Sequence, residues 1–459
     1  MPFLERIVRP SFVNVFGFGC DRFISIQMFS IVVALLNRPT VPTVAFIICA
    51  LSVLVALGAL LLVGAKAHQL SNRVTPTHLV VACMAAIVCG IVLQQASWAQ
   101  GALNLVVFSV SMLFLSVGSA LVLLQWGTVF GSVGSKMMLV EVSAGYLIAM
   151  AMAVPYNLLP TSLKVAYLVL ATLINGLLLV RSLRRTEADK GDEDGNFEAA
   201  ETPVSVYRSK LVTRICGGLF FCGAGIGLSS VIFRFAENAL SIEGSVLRLI
   251  GGAVVMVVAI CIAVCFRKGL VVAEYRFTYL VAVMGTLLSL VLPPDSPINT
   301  VVLFTTSTSI MIVGATILLG LAHRRLYHPA QVVSVGVASI IAGNLVVRCL
   351  LTALDSLQGA PELPYTVLVV ILVALFVIAD CLFLGMRLSL GFESDADIDP
   401  RAKAQSDEII RQSRIVTFEE DVGLTQREQE VFRLLIAGRS SRRIQEELFI
   451  SESTANTHI

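Results

Sequence analysis

Twelve apolar runs, each close to the roughly 20 residues needed to cross a bilayer, dominate the pattern along this chain. They cover 12–36, 43–63, 79–97, 103–124, 137–154, 163–180, 211–233, 247–266, 277–293, 299–322, 331–353 and 365–387. Within hydrocarbon no water is available to satisfy backbone N–H and C=O groups, so runs of this kind must be helices. The spacing therefore predicts an all-α fold, a polytopic membrane bundle in two groups of six. The first half lies in 1–180 and the second in 211–390, joined by a charged connection over 181–210. That connection opens on a basic cluster and turns acidic through Glu187, Asp189, Asp192, Glu193 and Asp194. It reads as a solvated linker.

Composition agrees. Apolar residues make up 56% of the 459 residues, charged residues only 14%, and mean hydropathy is +0.86. Too little polar surface is available to coat a soluble fold of this size, and lipid must be the main solvent. A net charge of +2 gives no global argument for nucleic-acid binding. The ten cysteines lie inside apolar runs without CxxC spacing, so they read as small packing residues rather than disulfides or metal ligands. There is no HExxH and no arrangement of Ser, His and Asp for nucleophilic catalysis. The sequence calls for no enzyme activity, cofactor or metal.

Loop charge sets the orientation. With the N-terminus inside, the five inner loops hold fourteen Lys and Arg, whereas the six outer loops hold four even when Lys164 and Arg248 at the adjoining span ends are counted with them. Both termini are expected in the cytoplasm of a cell whose inner membrane holds the spans.

Charges inside spans are costly and mark candidate sites. Beyond the end residues of each run they are Asp21, Arg22, Glu141, Arg214, Arg348 and Asp380. Glu141, Arg214 and Asp380 lie near the inner face, where pairing or snorkelling accounts for them. Asp21 and Arg22 lie near the midplane and read either as a structural pair or as a site for a small-molecule ligand or a proton. Glycines at 17 and 19 in the first span answer glycines at 223, 225 and 227 in the seventh.

After residue 390 the composition changes. Residues 391–422 hold nine acidic and four basic residues and form a linker, and from 423 the pattern becomes amphipathic. Thr425 and Glu428 form a capping box. Val431, Leu434 and Leu435 follow at helical spacing, and Gly438 is placed to stop that helix. A second helix after Ser440 carries Ile444 and Leu448. Ser451 caps a third with Ala455 and Ile459. Helix, short turn, helix, short turn, helix is the layout in which the last helix reads the major groove.

The matching residues are Leu424, Thr425, Arg427, Glu428, Glu430, Val431, Leu434, Leu435, Gly438, Ser440, Ile444, Leu448, Ile450, Ser451, Thr454 and His458. On these, the stretch 423–459 resembles the start of a LuxR-type DNA-binding domain. The resemblance implies a DNA partner and DNA contacts from Arg442, Arg443, Ser451, Ser453, Thr454, Asn456 and Thr457. Asn456 stands where that family often has Lys, and Ala455 where it often has Val. Five basic residues in 423–459 are balanced by five acidic ones, so any basic surface must come from asymmetric placement. In the resembled family a fourth helix follows and forms the homodimer surface. The chain ends at Ile459, eight residues after Ser451, and the expectation is that the head as written lacks that surface and binds DNA without sequence specificity.

The six-plus-six layout resembles the major facilitator superfamily, although 64–73 lacks that family's signature Asp and basic cluster. Together the two resemblances imply a bacterial membrane-embedded transcription regulator that senses a ligand through its spans. The alternatives are a secondary transporter with a regulatory tail and a scaffold whose spans only anchor the head.

Overall fold

A computed structural model describes residues 11–36, 43–67, 75–97, 104–133, 135–193, 210–232, 242–265, 281–293, 296–323, 329–356, 364–384, 426–436 and 441–448. No strand occurs among them. The helices are α1 (Phe12–Leu36), α2 (Thr43–Ala65), α3 (Pro76–Ala96), α4 (Leu105–Gly131), α5 (Ser135–Leu158), α6 (Thr161–Glu193), α7 (Lys210–Ile232) and α8 (Ile242–Cys265). Helix α9 covers 281–288. It is followed by α10 (Pro297–His323), α11 (Pro329–Ser356), α12 (Tyr365–Leu384), α13 (Gln426–Ile436) and α14 (Ser441–Leu448). Among the described residues, ten helices, α2–α8 and α10–α12, are long and apolar enough to cross a membrane. The protein is a helical membrane bundle. Residues 391–422 and the third head helix lie outside the described residues.

Local chemistry sets several helix starts. Proline opens α3, α10 and α11, where its missing N–H costs nothing and its φ suits the first turn. Asn104 caps α4 by accepting the Val107 N–H at 3.2 Å. One end differs from expectation. The sixth apolar run stops at 180, yet α6 continues to Glu193. Residues 181–190 contain no Gly or Pro and are rich in Arg, Leu, Glu, Ala and Lys. These helix formers extend the helix into water after the apolar signal has ended.

The packing repeats. Helix α1 packs on α5 and α6, and α2 on α4. Six positions later, α7 packs on α11 and α12, and α8 on α10. Contacts between these groups run mainly through α2 with α11 and α5 with α8, two pairs that exchange under the same shift of six. The glycines follow the repeat. A Cβ at Gly19 would come within 3.1 Å of the Gly145 carbonyl oxygen on α5. A Cβ on Gly223 would strike the Ile340 backbone of α11, and one on Gly343 would strike the Phe220 carbonyl of α7. Small residues let these backbones approach, which is how helices associate when lipid removes the hydrophobic drive between them.

Trp126, Phe23, Phe108, Phe130 and Phe376 are fully buried inside the bundle. Large apolar side chains such as Leu62, Val106 and Leu177 point outward, as lipid contact allows. All nine described cysteines are free thiols. The chain divides into two compact units, Met1–Phe392 and Glu393–Ile459. In the second unit α13 packs on α14, with Val431 and Ile444 fully buried.

Candidate functional site

Asp21 and Arg22 are adjacent on α1 and both are buried, at 3% and 8% exposure. Successive helical residues point about 100° apart, so the Arg22 side chain must curl back to reach its neighbour. Its Nε donates to Asp21 Oδ2 at 3.0 Å, and Nη2 donates to the same oxygen. The other carboxylate oxygen, Oδ1, accepts from Asn175 Nδ2 of α6 at 3.3 Å. Asn175 Oδ1 accepts from the Trp126 indole N–H of α4 at 3.0 Å. The guanidinium lies 5.3 Å from the Phe18 ring centroid and interacts with Tyr146 of α5.

Phe18 in turn meets Trp126, Phe130 and Tyr146 edge-on, with centroids 6.2, 5.1 and 5.9 Å away. Four helices, α1, α4, α5 and α6, thus converge on one neutral ion pair in an aromatic shell. Desolvated charges of this kind persist only when paired and hydrogen-bonded. Any group approaching the pair would have to compete with Asp21 for the guanidinium, or with Arg22 and Asn175 for the carboxylate. A proton arriving on Asp21 would leave the Arg22 charge without its counter-ion.

The sequence singled out Asp21 and Arg22 near the midplane but not Asn175, Trp126, Tyr146 and Phe18. A single Asn amid the apolar run of α6, and one of only two tryptophans in the chain, were the available signals.

The other span charges resolve separately. Glu141 of α5 is buried and clamps the start of α1. Its Oε1 accepts the Ser11 backbone N–H at 2.6 Å and its Oε2 accepts from Asn14 Nδ2 at 2.9 Å. Asn14 Oδ1 then accepts from the Ser182 hydroxyl of α6 at 2.8 Å. An anion at a helix N-terminus satisfies an orphan amide and favours the helix dipole. Arg348 Nε donates to Asn344 Oδ1 one turn back at 2.7 Å. Arg214 is exposed, and Asp380 is half-buried.

In the head, α13 begins directly after Thr425 and α14 directly after Ser440. Arg442 and Arg443 both lie on α14, and Arg443 is exposed. Ser451, Ser453, Thr454, Asn456 and Thr457 lie outside the described residues.

Comparison with known proteins separates the two parts. Residues 422–459 match the family model for bacterial regulatory proteins of the luxR family. The membrane part is similar in fold to a Major Facilitator Superfamily transporter, FucP, in the outward conformation. The TM-score is 0.51 at 13% identity, covering 83% of this chain and 98% of that one. It is likewise similar to the human organic anion transporter MFSD10 (TETRAN), with TM-score 0.54, 14% identity and coverage of 81% and 97%. A bacterial homologue of the iron transporter ferroportin, in an outward-facing state, gives 0.53, 11%, 82% and 98%. No curated protein matches this chain significantly. The molecule therefore combines a helical membrane bundle of major-facilitator-like fold with a LuxR-type helix-turn-helix head at its C-terminus. The head is a DNA-binding type used in transcription regulation.

Proposed function

We propose that this protein is a membrane-embedded transcription regulator whose bundle senses a small molecule and whose head binds DNA. The observation that carries the reading is a luxR-family match on the same chain as a multi-span bundle. A regulator that needed no membrane signal would gain nothing from a multi-span bundle. The proposed location is a bacterial cytoplasmic membrane with both termini inside, as the loop charges favour. The two six-helix groups are the proposed moving parts, and a head complete with the family's dimer helix acts as a homodimer on DNA. No enzymatic step is part of the mechanism.

Asp21 and Arg22 are the proposed ligand-responsive residues. A ligand that breaks or re-forms their pairing would hold different affinities for two helix arrangements, which is what shifting an equilibrium requires. Arg442, Arg443, Ser451, Ser453, Thr454, Asn456 and Thr457 are the proposed DNA contacts, with the helix carrying 451–457 in the groove.

A second reading, a secondary transporter with a regulatory tail, draws on the likeness to transporter folds. One experiment separates the two. Cells producing the protein from its own gene are compared with cells carrying Ile444→Asp, in which the head core is charged. Regulation predicts that transcript changes disappear with solute uptake unaffected. Transport predicts uptake in both strains and no head-dependent transcripts.

A further inference from the structure

We infer that the outward face of α6 is a binding site for anionic phospholipid headgroups. Leu163, Leu170, Leu173 and Leu177 recur at helical spacing and are all exposed, Leu177 at 72%. Arg181, Arg184 and Arg185 continue the same face at the next helical steps, and all three are exposed. The opposite face at this level is sealed by protein: Leu179 and Leu183 are buried, and Ser182 bonds to Asn14.

Depth supports the assignment. From Thr161, where α6 begins, to Arg181 the helix rises about 30 Å, the thickness of the hydrocarbon core. Arg181 therefore stands at the boundary, and Arg184 and Arg185 stand in the headgroup layer one turn further out. Three planar, permanently charged forks at phosphate depth, beneath a leucine stripe that receives an acyl chain, match a lipid bearing an anionic headgroup. A chain-less anion would meet the arginines but gain nothing from the stripe. Arg185 also feels the charge of the Glu141 carboxylate, so Arg181 and Arg184 carry most of the headgroup recognition.

The test uses the full chain carrying Leu177→Trp in vesicles of phosphatidylcholine with spin-labelled phosphatidylglycerol or spin-labelled phosphatidylcholine. Preferential quenching of the new indole by phosphatidylglycerol is expected. Arg181→Gln/Arg184→Gln/Arg185→Gln should lower that preference about a hundredfold, while quenching by phosphatidylcholine persists and confirms insertion. Arg181→Gln/Arg184→Gln, which leaves the Glu141 neighbour in place, should lose most of it, and Lys164→Gln at the other end of α6 none. Inorganic phosphate in the buffer should not displace the lipid. Equal quenching by both lipids in the parent, a preference that survives the arginine changes, or displacement by phosphate would each overturn the assignment.

Discussion

Asn175 bonds to both Asp21 and Trp126, its amide nitrogen donating to the carboxylate at 3.3 Å and its oxygen accepting the indole N–H at 3.0 Å. One amide thus ties α1 to α4 through α6 and fixes which carboxylate oxygen remains for Arg22. The ion pair is held from both ends by residues more than a hundred positions away in the chain.

Breaking one side of the pair should cost more than removing both. Asp21→Asn or Arg22→Gln leaves a buried partner uncompensated, a loss of about 3–5 kcal/mol. The double variant should recover a good part of that loss. Thermal unfolding of the purified protein in detergent, run as a double-mutant cycle, checks this. Additive losses would mean that the two side chains do not interact.

Asn175→Leu should destabilise by about 1–3 kcal/mol for each buried group left unsatisfied, here the indole N–H and one carboxylate oxygen. Indole fluorescence reports it directly, because Trp126 is fully buried and loses its acceptor. An unshifted emission maximum with unchanged stability would contradict the bonding described above.

Much of the bundle was legible because lipid imposes one rule on every span. The run 12–36 coincides with α1, and 211–233 with α7 (Lys210–Ile232), to within a residue. Hydropathy carries no information where a helix leaves the membrane, which is why the last thirteen residues of α6 were read as linker. Partners were less legible still. Nothing local to Glu141 says that it clamps Ser11 across 130 residues of sequence. Asp21 and Arg22 stood out because charge is rare in a span, whereas Asn175 and Tyr146 are polar residues of a commoner kind. In the head, capping and apolar spacing marked both α13 and α14, including the buried Val431 and Ile444.

Glu141→Leu should free the start of α1, leaving the Ser11 amide and the Asn14 side chain without their acceptor. Glu141→Gln keeps one acceptor oxygen and, if Asn14 turns its amide over, most of the network. Hydrogen exchange at residues 11–15 should rise strongly in the first variant and modestly in the second. Equal exchange in all three proteins would remove Glu141 from this role.

Gly343→Leu should prevent α7 and α11 from closing, because even a Cβ there meets the Phe220 carbonyl. Gly58→Leu is the matched control, since a Cβ at that position meets nothing within 4 Å. Size-exclusion profiles of the membrane-extracted variants should show loss of the folded peak for the first alone. A folded Gly343→Leu protein would refute the close approach.

The proposed topology requires reporter fusions at residue 195 and after residue 390 to be active in the cytoplasm. Activity on the outer side at either position would overturn this topology, and after residue 390 it would exclude an inward-facing head and, with it, any route from the bundle to DNA.

Genome-wide DNA occupancy of the protein, expressed from its own gene and left in its native membrane, tests the central claim most directly. With a complete LuxR-type head the proposed regulator occupies discrete sites, and occupancy at those sites changes when Asp21→Asn or Arg22→Gln alters the buried pair at equal protein level. Occupancy indifferent to both substitutions would contradict a sensing bundle, and occupancy no different from that of Ile444→Asp would contradict a DNA-binding head.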